Sequence, residues 1–171
     1  MKFVKYLILP LAILLLAGGC KKDAEAEGPA ATPDLPAQAQ AKLPTMKIYL
    51  GSHVLDTELA ISEKEQQTGM MFRTNIQETD SMLFVLPFTM QASFWMKNCP
   101  ESISAAYITP DGMIAEVHHF EKNDTNAVLS ATANIRFVLE TKEGWFDRHN
   151  VGPGTPISTE KGSLAFTFLH H

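Results

Sequence analysis

Beyond Met46 the apolar residues come in short, closely spaced pieces separated by turn signals, and this most limits what the chain can fold into. Met46 to Leu50 alternates apolar with polar, Gly51-Ser52 signals a turn, and His53 to Ala60 alternates again, which predicts a β-hairpin. Ser62-Glu63-Lys64-Glu65 has the spacing of a capping box, with Ser62 as the cap and Glu65 reaching back, and Gly69 can end the short helix that follows. After a polar loop from Thr74 to Asp80, Met82 to Leu86 is a continuous apolar run stopped by Pro87, as expected of a strand buried on both faces.

The rest of the chain repeats this pattern. Ser93 to Cys99 predicts a strand that opens into a loop at Pro100. Ala105 to Ile108 and Met113 to His118 flank Pro110-Asp111-Gly112, where proline presets the turn and glycine supplies the positive dihedral. Ile135 to Glu140 reads as a strand, Gly144 to His149 as a short helical turn, and Leu164 to Phe168 alternates cleanly. Many short strands with one or two brief helices predict a small β-sandwich or barrel-like domain over residues 46–171.

The amino terminus has a different character. Lys2 and Lys5 precede the apolar run Leu7 to Leu16, which is too short and wrongly flanked for a spanning helix and is expected to be a secretory signal over residues 1–19. Leu16-Ala17-Gly18-Gly19-Cys20 resembles the bacterial lipoprotein signal, with Ala17 where that pattern favours leucine. The resemblance implies cleavage before Cys20, lipid on that cysteine and a periplasmic or exterior face of the bacterial envelope. Residues 20–45, rich in Ala, Pro, Gln and Glu, are expected to form a disordered tether.

Charge and cysteine count narrow the partners. The chain carries a formal charge of −5, and loss of the two positive charges of Lys2 and Lys5 takes this to −7; with no basic stripe, nucleic acid is not an expected partner. With Cys20 committed to lipid, Cys99 has no disulfide partner, so stability must come from a core. His118 and His119 are adjacent and on a strand point to opposite faces, so no metal is expected there. No phosphate-cradling glycine loop, nucleophile elbow or paired-metal motif appears, and no cofactor is expected.

Met70-Met71-Phe72-Arg73, Ser81 to Val85, Phe94-Trp95-Met96-Lys97-Asn98, Asp111-Gly112, Leu139-Glu140 and Gly144-Trp145-Phe146 together resemble, in order, the motifs of a bacterial and archaeal family known as domain of unknown function 192. The resemblance implies a compact mainly-β domain, frequently exported or membrane-anchored, with no established biochemical activity. Against the family's pattern, Cys99 stands at a threonine, Ser102 at a proline, Ser104 at an aspartate and Thr155 at a position that is often acidic. Ser104 neither accepts a proton usefully near neutral pH nor binds a hard metal well, so chemistry that relied on that aspartate is not expected here.

The remaining polar candidates are Arg73, Trp95, Lys97, Asn98 and Glu140. Arg73 and Lys97 can grip a carboxylate or phosphate, Asn98 can orient a hydroxyl, Trp95 can stack on a sugar ring, and Glu140 can act as a base. The structural alternative is an internal ion pair in which Arg73 or Lys97 neutralises Glu140. The expected function is that of a lipid-anchored binding or accessory module for an anionic or carbohydrate envelope component or a partner protein. The alternative is an envelope hydrolase or transferase that uses Glu140 with Lys97 and Asn98.

Overall fold

A computed structural model describes residues 35–169. The signal and Cys20 lie outside the described residues, as does the greater part of the tether. Ten strands and three short helices follow one another over the described residues: β1 (Thr45–Leu50), β2 (His53–Ala60), α1 (Glu63–Thr68), β3 (Ser81–Met90), β4 (Ser93–Phe94), β5 (Ile103–Ile108), β6 (Ile114–Phe120), β7 (Val128–Leu129), β8 (Ile135–Lys142), α2 (Trp145–Arg148), β9 (Ile157–Thr159), β10 (Gly162–Ser163) and α3 (Leu164–Phe168). Eight strands form one sheet in the order β10-β9-β1-β2-β3-β8-β5-β6, while β4 and β7 pair separately. The fold is therefore mainly β, as the spacing predicts.

The large sheet curls into a half-barrel. Met113, just before β6, bridges Pro156, just before β9. Around that bridge Ile157 N–H donates to Gly112 O (2.8 Å), Ile114 N–H to Thr155 O (3.0 Å) and Gly154 N–H to Ile114 O (2.8 Å). The tip of the β5–β6 hairpin thus ties the two ends of the sheet together.

Alternation along the central strands produces two cores. Leu83 and Val85 of β3, Phe137 and Leu139 of β8, and Ala106 and Ile108 of β5 face the inside of the curl, where Trp145 and Phe146 of α2 plug it. Met82, Phe84 and Leu86, with Val138, Ala105 and Tyr107, face the other side and meet Met70, Met71, Met96 and Cys99. The second core is covered by loops and the β4–β7 ribbon, not by a second full sheet.

Local chemistry matches most of the predicted boundaries. Ser62 Oγ accepts from Glu65 N–H (3.3 Å) and the Glu65 carboxylate accepts from Ser62 N–H (2.8 Å), completing the capping box. Gly69 follows with φ 46°. Three expectations need correction. β3 runs past Pro87 to Met90, because its register shifts between Val85 and Met90 and exposed Pro87 needs no ladder partner. The strand expected from Ser93 is only two residues long before the chain turns. Leu164–Phe168 is helical, since Ser163 Oγ caps Phe166 N–H (3.1 Å) and only Leu164 is buried.

The last residues of the expected tether contact the domain. Gln40 Nε2 donates to the carbonyls of Glu65 (3.1 Å) and Gly69 (3.0 Å) at the C-terminal end of α1, and Leu43 packs against the second core. Composition does not reveal this attachment, because one glutamine and one leucine supply it.

Gly112 adopts φ 88°, and a Cβ there would stand 3.0 Å from Ile157 O at the tied ends of the sheet. Gly112→Ala should cost on the order of 1–3 kcal/mol. Gly51→Ala, at φ 61° with nothing within 4 Å of the added carbon, should cost less. Urea denaturation of both variants beside the wild type checks the ordering, and equal losses would mean the closure carries no strain.

Candidate functional site

The site is built on one row of the sheet. Glu58 of β2 lies opposite Met82 of β3, Met82 opposite Glu140 of β8, and Glu140 opposite Ala105 of β5. Residues paired in this way point to the same face, so two carboxylates share the second core about 10 Å apart, or two strand spacings. Arg73, in the loop after α1, is the cation that serves this pair.

Arg73 chooses Glu58. Its guanidinium forks onto Glu58 at 2.6 and 2.9 Å, and Leu43 N–H adds a third bond to that carboxylate at 2.7 Å. Burial raises the Glu58 pKa, but the bonds from Arg73 and Leu43 outweigh this and hold it below the usual carboxylate value. The same pair raises the pKa of Arg73. The internal ion pair anticipated for Arg73 therefore forms with Glu58, a residue the sequence reading did not single out. Its signal is a charge set directly before the apolar run Leu59-Ala60-Ile61.

Glu140 is left without such a partner. It is 6 % exposed, and its Oε2 has no hydrogen-bond donor among the described residues. Burial pushes its pKa up to about 8, with the charge of Arg73 opposing the rise. At neutral pH the side chain is mainly a neutral carboxylic acid, able to donate a hydrogen bond.

This carboxyl lies at an open cleft of about 420 Å³. One wall is α1 with Met70 and Met71; the other is the end of β3 with Phe94 and Trp95. Phe88 and Trp95 are 62 % and 41 % exposed, an unusual display of aromatic surface at the edge of a cleft. Cys99 also lines it, but burial, with Glu140 adding to the effect, pushes its thiol up to about 12, so it is not a thiolate nucleophile at neutral pH.

The other predicted residues stand around this cleft without lining it. Lys97 Nζ lies 5.4 Å from the centroid of the Trp95 ring, and Asn98 Nδ2 lies 4.0 Å from Met71 Sδ. Asn98 and Phe72 both have φ 61°, and Phe72 N–H donates to Asn98 O at 2.7 Å. A bulky residue in that conformation is strained by on the order of 1–3 kcal/mol, so the backbone is fixed against its own preference beside Met71 and Cys99. Of the predicted set, Glu140 and Trp95 come together at the cleft, while Arg73, Lys97 and Asn98 do not reach it. Sequence reasoning missed Phe88 and Met70 as lining residues; Phe88 could have been suspected from its position directly after Pro87.

A second constellation has the residue types of a hydrolytic triad. Ser104 Oγ is 3.0 Å from His119 Nδ1, and His119 Nε2 is 3.2 Å from Asp147 Oδ2. Ser104 is fully buried and its Oγ accepts from Gly144 N–H at 2.9 Å, so the array braces α2 against β5 and offers no reachable nucleophile.

The isolated carboxyl makes stability depend on pH. Below about 4.5, the ordinary value, Glu140 is protonated in both folded and unfolded chains and makes no difference. As pH rises the unfolded chain ionises while the folded one stays neutral, so stability falls until about pH 8 and is level above it. At ~1.4 kcal/mol per tenfold difference in proton affinity, the loss amounts to several kcal/mol. Glu140→Gln should remove that loss, so that denaturation curves of variant and wild type diverge between pH 5 and 8. Parallel curves would contradict the assignment.

Comparison with known proteins is consistent with this architecture. No functionally curated protein is similar to the chain. A crystal structure from Sinorhizobium meliloti, provisionally described as a transcription regulator, is similar at 25 % identity with a TM-score of 0.66, covering 71 % of this chain and 98 % of that one. A protein of unknown function from Novosphingobium aromaticivorans is similar at 27 % identity, also with a TM-score of 0.66, covering 82 % of this chain and 99 % of that one. The sequence profile of the uncharacterised ACR family, domain of unknown function 192, matches residues 46–159, and the chain belongs to that family.

Proposed function

We propose that the domain is a binding module for a small, largely apolar molecule, held in the cleft between α1 and the Phe94–Trp95 segment. The observation that carries this reading is the buried Glu140 Oε2, without a donor among the described residues, at a cleft whose other lining is mainly apolar and includes Met70, Met71, Phe84, Phe94 and Trp95. Buried polar atoms are nearly always satisfied, and one that is not, at an open cavity, is suited to a partner from outside. Catalysis is the less supported reading. Lys97 and Asn98 do not line the cleft, and the Cys99 thiol, pushed up to about 12, is a poor nucleophile.

Filling the mouth tests this. Ser93 is exposed and lines the cleft, so Ser93→Trp should block it without disturbing either core. In thermal unfolding against short-alkyl and single-ring compounds of each charge type, one class should raise the Tm of the wild type. A compound at a hundred times its Kd adds ~2.7 kcal/mol. The shift should vanish in Ser93→Trp; a wild type indifferent to every class would overturn the reading.

We also propose that lipid on Cys20 anchors the module to a bacterial membrane, on its periplasmic or exterior face. The small residues ahead of Cys20 at the end of an apolar run support this. Each buried methylene contributes ~0.8 kcal/mol to anchoring, so more than one acyl chain is needed for a firm hold. Labelled palmitate should enter the wild-type protein, and Cys20→Ser should leave it unlabelled and free of the membrane fraction. A labelled serine variant would contradict the assignment.

A further inference from the structure

We propose that the occupant of the cleft is an organic cation, an ammonium group carried on an apolar body, held by the Glu140 carboxylate and by the aromatic lining of Phe84, Phe94 and Trp95. This rests on the small-molecule reading above and names its chemical class.

Three features of the cleft point to a positive ligand. Among the described residues, the carboxylic acids on its lining are Glu63 and Glu140, and the lining includes no lysine, arginine or histidine. Its amide donors are already engaged. Gln66 Nε2 donates to the carbonyls of Val85 (2.7 Å), Ile61 (3.0 Å) and Ala60 (3.3 Å), and Gln67 Nε2 donates to Glu63 Oε1 (3.2 Å). An anion entering here would find acidic side chains and spent amides.

The aromatic lining supplies the complementary attraction. Phe84 and Phe94 stand edge to face with centroids 5.1 Å apart, and Trp95 continues the wall to the surface. Trp95 already holds a cation, since Lys97 Nζ lies 5.4 Å from its centroid. Cations are drawn to ring faces by the quadrupole, more strongly where water is excluded, and weakly hydrated alkylammonium groups lose least on entry.

Binding must also move a proton. The groups that interact with Glu140 are Arg73 from the loop after α1, Cys99 from the loop after β4 and Tyr107 of β5, and Glu63 of α1 lines the same cleft. Arg73 is committed to Glu58, and neither Cys99 nor Tyr107 is ionised near neutral pH, since burial raises both. The neutral Glu140 carboxyl of the empty cleft therefore gives its proton to solvent as the cation enters, leaving an ammonium–carboxylate pair. Affinity then rises roughly tenfold per pH unit below about 8.

Hexyltrimethylammonium, hexan-1-ol and hexanoate share one alkyl body and differ in charge. In calorimetric titration of the wild type at pH 7, hexyltrimethylammonium should bind at least tenfold more tightly than hexan-1-ol, with hexanoate weakest. It should release protons, as seen by comparing two buffers of different ionisation enthalpy. Glu140→Gln, which keeps the side-chain volume, should erase the preference for the cation, and Trp95→Leu, at an exposed position, should weaken the cation several-fold while sparing hexan-1-ol. If hexan-1-ol or hexanoate binds as tightly as the cation, or if the preference survives Glu140→Gln, the cation assignment falls and the cleft reading stands. If none of the three binds, both fall together.

Discussion

Three adjacent strands, β3, β8 and β5, carry apolar side chains on both faces, and the rest of the architecture follows from having to cover each face. The sheet covers one face itself by curling until the β5–β6 tip reaches the segment before β9, with Trp145 and Phe146 filling the interior. Among the described residues the other face has no second full sheet. Met70, Met71, Met96 and Cys99 reach it from loops, and the two-stranded β4–β7 ribbon closes part of the remainder. Loops cover an apolar surface less completely than a sheet does, and the cleft is the part they leave open.

Electrostatics gives that opening its chemistry. Two acids in one row of the sheet face a single guanidinium, and a forked bond to Glu58 uses both of its terminal nitrogens. Glu140, two strands away, receives only the through-space field of Arg73. Burying a charge without a partner is far more expensive than keeping a proton, so the uncompensated group stays neutral until an external cation supplies what Arg73 does not. The strained turn of Phe72 and Asn98 and the ordered Gln40–Leu43 segment brace the loops around this arrangement.

Much of the fold was legible in the sequence because its signals are local. The capping box at Ser62, the turn at Pro110-Asp111-Gly112 and the doubly buried run Met82 to Leu86 each depend on a few neighbouring residues. Leu164 to Phe168 misled because five residues of alternation cannot outweigh a good cap at Ser163. The site was legible only in part. Glu140 and Trp95 could be named from sequence, but the choice of Arg73 between Glu58 and Glu140 is set by strand order, in which β2 and β8 flank β3. No local pattern encodes that order.

Everything at the cleft turns on Glu140 being a neutral acid at physiological pH, buried with no hydrogen-bond donor to its Oε2 among the described residues. Selective ¹³C labelling of glutamate side-chain carboxyls, with Glu140→Gln to assign the resonance, measures this directly in a pH titration by NMR. One carboxyl should titrate near 8 and be absent from the variant. Titration of Glu140 in the ordinary carboxylate range would show that the site is hydrated or paired, and would contradict the account.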